Sequence, residues 1–152
     1  MNSLHHTGLT VSDLDRSLAF WRDALGMEVV MAQDKQGGYL EAIVREPGAH
    51  VRMAHLAFAS DGPRIELFQY LAPVGGRAAL RPADVGFAHV CILCDEIEPL
   101  LERAVAAGGV PFTEVIEVDT GANRGSRCLY LRDPDGHVVE LFSRPTVVEE
   151  AS

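Results

Sequence analysis

Two histidines and two glutamates stand at matching places in the two halves of the sequence. His6 precedes Glu66 in the first half, and His89 precedes Glu140 in the second. Each glutamate comes a few residues after an Asp-Gly pair, in a short aliphatic run that continues as Leu-Phe and is typical of a strand. A lone carboxylate buried in such a strand costs several kcal/mol. Each glutamate therefore needs a compensating group close to it.

Two imidazoles and two carboxylates that meet at one point would form a suitable site for a divalent metal of borderline softness, such as Zn, Ni, Co, Mn or Fe. The carboxylates would offset the charge of the ion, which in turn would relieve the cost of burying them. Taken singly, a strand histidine is most often an ordinary hydrogen-bonded residue, and a strand glutamate is often an edge charge. Four such residues at repeat-equivalent positions favour a metal site formed by His6, Glu66, His89 and Glu140.

The other histidines and the cysteines are weaker candidates. His5 adjoins His6, but the fixed offset that aligns His6 with His89 also aligns Gly26 with Gly109, and so it selects His6. The remaining histidines have no repeat partner and are expected at the surface or in contact with a ligand residue: His50, His55 and His137. The pair Cys91-x-x-Cys94 has redox or zinc spacing, but it lies in an apolar strand pattern without a second such pair.

The same order of secondary structure is expected twice. The first half predicts strands over 4–11, 27–32, 39–45, 51–59 and 64–70, with a helix over 13–24 that Ser12 and Asp13 could cap. The second half predicts strands over 87–92, 110–118, 127–131 and 137–142, with a helix over 95–107. An extra loop in the first copy is placed near 34–50. The predicted organisation is a module over 1–71, a linker over 72–85, a module over 86–144 and a tail over 145–152.

Strand alternation indicates where the four side chains point. In each strand the ionisable residue lies between aliphatic neighbours that face the other way, as Glu66 does between Ile65 and Leu67. The aliphatic faces are expected to pack on the two helices. The histidines and glutamates are then left on the opposite, concave face of the sheet.

Composition excludes several classes of partner. The 152 residues include 13 Lys and Arg against 22 Asp and Glu, so the formal net charge of -9 disfavours binding to nucleic acid. No apolar run approaches the length of a membrane-spanning helix, and the N-terminal residues do not resemble a signal peptide. A cytoplasmic location and a small-molecule substrate are therefore expected.

The motifs together resemble the vicinal oxygen chelate superfamily, which includes glyoxalases, bleomycin-resistance proteins and extradiol dioxygenases. The resemblance spans about 4–144 and rests on His6-x-Gly-Leu, Phe20-Trp-Arg-Asp-x-Leu-Gly, Ile65-Glu-Leu, His89 and Asp133-Pro-Asp-Gly-x-x-x-Glu-Leu. It implies an α+β fold in which paired βαβββ modules form a cupped mixed sheet with helices on its outer face. It also implies one divalent metal ion in the cup and a homodimer.

An ion with four protein ligands keeps two adjacent positions for a substrate with neighbouring oxygens, and as a Lewis acid it would stabilise an enediolate. Glu66 and Glu140 would act as catalytic base and acid on opposite sides. The resemblance supports an isomerase, epimerase or lyase of the lactoylglutathione lyase or methylmalonyl-CoA epimerase type.

Two alternatives remain open on the sequence. An extradiol ring-cleaving dioxygenase uses two histidines and one glutamate, and Glu66 argues against it because a fourth side chain removes the position that oxygen needs. A ligand-sequestering protein of the bleomycin-resistance branch shares the fold without a metal.

The substrate itself is not fixed by the sequence. Asn123 and Arg124 lie in a predicted loop and are candidate substrate-binding residues. Glu46 resembles the second acid-base residue of methylmalonyl-CoA epimerase. The aromatic residues near the glutamates are interpreted as core or cavity lining: Phe68, Tyr70, Tyr130 and Phe142.

Overall fold

The computed structural model describes residues 1–145, so the predicted tail lies outside the described residues except for Pro145. The fold is α+β, as predicted, with a mixed sheet of four strands and another of five. The chain divides into two compact units, Met1–Ala79 (unit 1) and Leu80–Ser152 (unit 2). Each unit carries its own sheet.

Unit 1 contains a four-stranded sheet in the order β1-β4-β3-β2. Its elements are β1 His6–Val11, α1 Leu14–Leu18 followed by a π-helical segment Ala19–Ala24, β2 Glu28–Gln36, α2 Tyr39–Val44, β3 His50–Ala57 and β4 Arg64–Ala72. β1 runs parallel to β4, whereas β3 is antiparallel to both β4 and β2. The connection between these two parallel strands runs through the first helix, β2, α2 and β3, since a parallel pair cannot be joined by a tight turn.

The first helix begins and packs as its sequence predicts. The Asp13 carboxylate caps it by accepting a 2.9 Å hydrogen bond from the Arg16 backbone N–H. Its second half is π-helical, and there Phe20 and Trp21 are fully buried. The Leu14 backbone N–H donates to the Gln69 side chain, which ties the start of the helix to β4.

The predicted strand over 39–45 is wrong, because these residues form α2. Gly37 and Gly38 turn the chain out of β2 with φ angles of 64° and 63°. Leu40 and Val44, spaced as on one helix face, pack against a small cluster that contains Ala49, Val51, Phe68 and Tyr70. The apolar run Tyr-Leu-Glu-Ala-Ile-Val suits either structure, and this cluster selects the helix.

Unit 2 repeats the arrangement in the order β5-β9-β8-β6, with β7 also paired to β8. Its elements are β5 His89–Leu93, α3 Ile97–Ala106, β6 Val110–Pro111, β7 Ile116–Glu117, β8 Arg127–Arg132 and β9 Val138–Ser143. The predicted strand over 110–118 is therefore two short strands. Pro111 lacks an N–H, and the N–H groups of Phe112 and Thr113 both donate to the Tyr130 carbonyl, which interrupts the ladder.

Corresponding strands pair in the same sense in the two units. β5 and β9 are parallel as β1 and β4 are, and the pairs β3-β4 and β8-β9 are both antiparallel. Helix α2 lies within the predicted insertion near 34–50, and within residues 1–145 unit 2 has no counterpart to it. Over the same residues, no helix is both long and apolar enough to span a bilayer.

A substitution at Arg45 tests the backbone strain at the end of α2. Arg45 caps this helix in the left-handed region, at φ 58°. That conformation costs a non-glycine residue about 1–2 kcal/mol, and glycine forfeits about 0.5–1 kcal/mol in chain entropy. We expect Arg45→Gly to raise the free energy of unfolding by up to about 1 kcal/mol, measured by urea denaturation with an unchanged slope. Arg45→Ala keeps the Cβ atom and should change little; an equal gain in both variants would contradict the explanation.

Candidate metal centre

The first histidine and glutamate meet within the sheet of unit 1. His6 opens β1, Glu66 lies in the interior of β4, and the parallel register places Gly8 opposite Glu66. The His6 Nε2 atom is 3.3 Å from Glu66 Oε2. The Glu66 side chain is only 11% exposed, whereas that of His6 is 39% exposed. A buried carboxylate thus has an accessible imidazole beside it.

The second pair has the same geometry in unit 2. His89 opens β5, Glu140 lies in the interior of β9, and Cys91 stands opposite Glu140. The His89 Nε2 atom is 3.1 Å from Glu140 Oε2, and the Glu140 side chain is 18% exposed. Each predicted histidine is thus next to its predicted glutamate in the unit that holds both.

The two pairs have the donor chemistry and spacing of metal ligands. Imidazole nitrogen and carboxylate oxygen bind zinc-like ions at about 2.0–2.2 Å. Two such atoms at right angles around one ion are therefore about 3 Å apart, close to the separation in both pairs. Each pair, with one imidazole and one carboxylate, fits two ligand positions of a divalent transition metal.

The strand on the other side of each glutamate distinguishes the two units. His55 of β3 lies directly across from Glu66, and its Nε2 atom is 2.6 Å from Glu66 Oε1. His55 is 5% exposed, so of the two positions expected for it, the surface or contact with a candidate ligand residue, it takes the second. Its Nδ1 atom is buried without a hydrogen-bond partner. Glu66 therefore contacts two imidazoles.

Tyr130 occupies the corresponding place in unit 2. It lies across from Glu140 on β8, but its hydroxyl is 3.4 Å from His89 Nε2. Burial, with a smaller contribution from the charge of Glu140, raises the pKa of the Tyr130 phenol. Tyr130 is thus a polar neighbour of the pair as well as a half-buried aromatic residue.

The pKa of the Cys91 thiol depends on its burial and on the charge of Glu140. Burial raises the pKa of its thiol from 9.0 to about 11, with further contributions from the charge of Glu140 and a hydrogen bond to it. Cys94 instead donates to the Phe142 carbonyl. The three cysteines, Cys91, Cys94 and Cys128, are free thiols. Cys91 thus adds a protonated sulfur beside the carboxylate.

A third imidazole lies close to the His6 ring. The Nδ1 atoms of His5 and His6 are 2.7 Å apart, and His5, His6 and His55 each offer a nitrogen within 4.8 Å of the others. The repeat pattern does not select His5 as a ligand, because Ala88 stands at the equivalent position of unit 2. The sequence does hold a signal for His55, since counting back across the Asp61-Gly62 hairpin places it opposite Glu66.

The predicted substrate-binding residues lie on exposed turns. Asn123 and Arg124 belong to the turn before β8, where the Asn123 carbonyl accepts from the Ser126 N–H. Glu46 is exposed after α2, and its charge helps to raise the pKa of Tyr70, although burial of that phenol contributes more. Glu66 makes a smaller contribution to the same shift. The charges of Glu46 and Glu66 therefore both contribute to the raised pKa of Tyr70.

Comparisons with known proteins identify the family. Residues 3–141 match the Glyoxalase/Bleomycin resistance protein/Dioxygenase superfamily. A 2-epi-5-epi-valiolone epimerase from Actinomyces is 31% identical, with 94% of this chain and 80% of the relative covered. A probable lactoylglutathione lyase from Vibrio parahaemolyticus is 29% identical, with 90% and 87% covered.

A glyoxalase family protein from Bacillus cereus has the same fold. Its crystal structure matches with a TM-score of 0.83 at 18% identity, and the match covers 95% of each chain. The resemblance drawn from the sequence motifs is confirmed. This chain belongs to the glyoxalase, bleomycin-resistance and dioxygenase superfamily.

Proposed function

We propose that the protein is a metal-dependent isomerase, epimerase or lyase that moves a proton next to the carbonyl of a small substrate with vicinal oxygens. The observation that carries the proposal is the same His–Glu contact in each unit, at 3.3 Å and 3.1 Å. The protein ligands of the metal ion would be His6, Glu66, His89 and Glu140. Relatives named as an epimerase and a lyase support this class of reaction.

The ion would come from the group Zn, Ni, Co, Mn or Fe, which accept mixed nitrogen and oxygen ligands. When bound, it would polarise the carbonyl of a chelated substrate and acidify the neighbouring C–H bond. Two of the proposed ligands, His6 and Glu66, lie in unit 1, and the other two, His89 and Glu140, lie in unit 2.

The two glutamates are unequally constrained, and this supports different roles for them. Glu66 contacts both His6 and His55 and is the more buried of the two. Glu140 contacts His89 and has a tyrosine rather than a histidine across the sheet. Glu140 is the more exposed of the two and has one imidazole partner rather than two, so it is better placed to accept a proton from carbon. We assign Glu140 as the base and Glu66 as the acid on the opposite side of the substrate.

The exposed turns would hold the rest of the substrate. Asn123 and Arg124 can offer an amide and a guanidinium to substrate oxygens, and Glu46 can accept a hydroxyl hydrogen bond. In this proposal these residues set substrate choice, while the four ligands set the chemistry.

Replacing Glu140 tests the assignment of the base. Glu140→Gln keeps an oxygen donor but removes the basic group, so hydrogen–deuterium exchange at the substrate carbon should fall about 10²–10⁴-fold. Exchange would be followed by NMR in D₂O with a panel of 2-hydroxy ketones, and bound metal by elemental analysis. His50→Ala is the matched control, because His50 pairs with Asp34 and not with a candidate ligand.

Two results would contradict this reading. If metal-replete Glu140→Gln exchanged the substrate proton as fast as the wild-type protein, Glu140 would not be the catalytic base. Oxygen uptake with catechols by the iron-loaded protein, without proton exchange, would favour ring cleavage instead.

The reactivity of Cys91 tests the local charge of Glu140 in the metal-free protein. A pKa of about 11 in place of 9.0 leaves about a hundredfold less thiolate at pH 8, so alkylation should be slow and should accelerate only as the pH approaches 11. Glu140→Gln removes the negative charge, lowers the pKa and should speed alkylation at pH 8. Peptide mass spectrometry would follow iodoacetamide labelling of Cys91, with Cys94 as the internal control. Equal labelling rates in both proteins would show that Glu140 does not act on this thiol.

A further inference from the structure

Helices α1 and α2 of unit 1 lie on opposite faces of its sheet. The start of α1 is tied to Gln69, because the Leu14 backbone N–H donates to the Gln69 side chain. Along β4, Gln69 alternates with Phe68 and Tyr70, which pack against the apolar cluster beneath α2. Helix α2 is therefore on the face of the sheet that also carries Glu66.

A row of apolar side chains on this face leads from Glu66 to α2. Phe68 lies across from Met53, two positions along β4 from Glu66. Tyr70 lies across from Val51, two positions farther. A strand rises about 3.3 Å per residue, so Phe68 and Tyr70 are about 7 Å and about 13 Å from Glu66 along the strand. The carboxylate thus adjoins an apolar surface that ends beneath α2.

This surface is accessible near Glu66 and closed at its far end. Phe68 and Tyr70 are half-buried, and their stacked rings have centroids 6.1 Å apart. Leu40 of α2 and Val51 beneath it are buried. A group that lies beside Glu66 can therefore contact the aromatic rings, but α2 blocks it from extending farther along the strand.

The metal site alone does not explain α2. Unit 2 carries the same kind of His–Glu pair, and Phe142 follows Glu140 there as Phe68 follows Glu66. Within residues 1–145, however, unit 2 has no helix between β6 and β8, the place that corresponds to α2. The covered end of the surface therefore distinguishes unit 1 from unit 2, as expected of a feature that selects substrate.

We propose that α2 and Tyr70 form the end wall of the substrate site on unit 1, with Phe68 as its floor. The proposal rests on the proposed function, which places the substrate beside Glu66. An apolar group on the substrate is stabilised when it leaves water to lie on the Phe68 ring. A group that extends past Phe68, more than about 7 Å from Glu66 along the strand, meets the wall. The substrate class is therefore a vicinal-oxygen compound with a short alkyl group or a single carbon ring, rather than a long acyl chain.

The length of the substituent tests the wall. Hydrogen–deuterium exchange is followed by NMR in D₂O for 2-hydroxy ketones whose substituent is methyl, propyl or octyl. We expect kcat/KM of the wild-type protein to be at least about tenfold higher for propyl than for octyl. Leu40→Ala should raise the octyl-to-propyl ratio by at least about tenfold, the smallest effect usual for one methylene in an apolar pocket. Because the ratio is internal to each variant, a loss of metal or of folded protein cancels.

The same helix offers a matched control. Ile43→Ala also shortens an aliphatic side chain of α2, but Ile43 is 73% exposed, so the ratio should not change. Val44 packs against the cluster while only half-buried, so Val44→Ala tests the wall even if Leu40→Ala fails to fold, which circular dichroism would reveal. An unchanged ratio in folded Leu40→Ala or Val44→Ala, or an equal rise in Ile43→Ala, would overturn the proposal.

Binding supplies a readout that does not depend on activity. Addition of the propyl compound to the wild-type protein should shift the aromatic NMR signals of Phe68 and Tyr70. The ring of Tyr39, which is 64% exposed on α2, is the internal control and should not shift.

The two readouts separate this inference from the proposed function. Exchange without a shift at Phe68 and Tyr70 would overturn the wall and floor and leave the proposed function standing. Shifts at both rings without exchange of any compound would support the wall and floor and remove the proposed function. Neither shift nor exchange would overturn both.

Discussion

A carboxylate in the middle of an aliphatic strand must find its partner on a neighbouring strand, and the rest of the site depends on this constraint. Glu66 lies between Ile65 and Leu67, and Glu140 lies between Val139 and Leu141, all of which are buried. The aliphatic neighbours occupy one face of each sheet, so the carboxylate is left on the other face. The neighbouring parallel strand, which precedes the first helix of each unit, begins with the histidine that contacts this carboxylate.

The strands on either side of the two glutamates are equivalent in the two units, but they carry different side chains. Gly8 and Cys91 are opposite the glutamates on one side, and His55 and Tyr130 are across from them on the other. In unit 1 the cross-strand imidazole contacts the carboxylate itself, whereas in unit 2 the phenol contacts the histidine. Two His–Glu pairs with similar geometry thus differ in the groups around their glutamates, and the proposed division into a base and an acid rests on this difference.

The sequence predicts the features that depend on residue type and spacing along one strand or helix. The Asp13 cap, the burial of Trp21 and the proximity of His6 to Glu66 all follow from periodicity and from the repeat. Features set by packing between segments were missed. Residues 39–45 form a helix because Leu40 and Val44 meet Ala49 and Val51, and nothing in the local sequence contains that contact.

The interruption of the strand over 110–118 has a similar origin, since it depends on two N–H groups sharing the Tyr130 carbonyl. The role of His55 depends on register across a hairpin. A repeat comparison looks for identical residues and cannot detect a histidine whose counterpart is Tyr130. Duplication therefore reveals what the two halves share, while the differences that give each half its own chemistry need the structure.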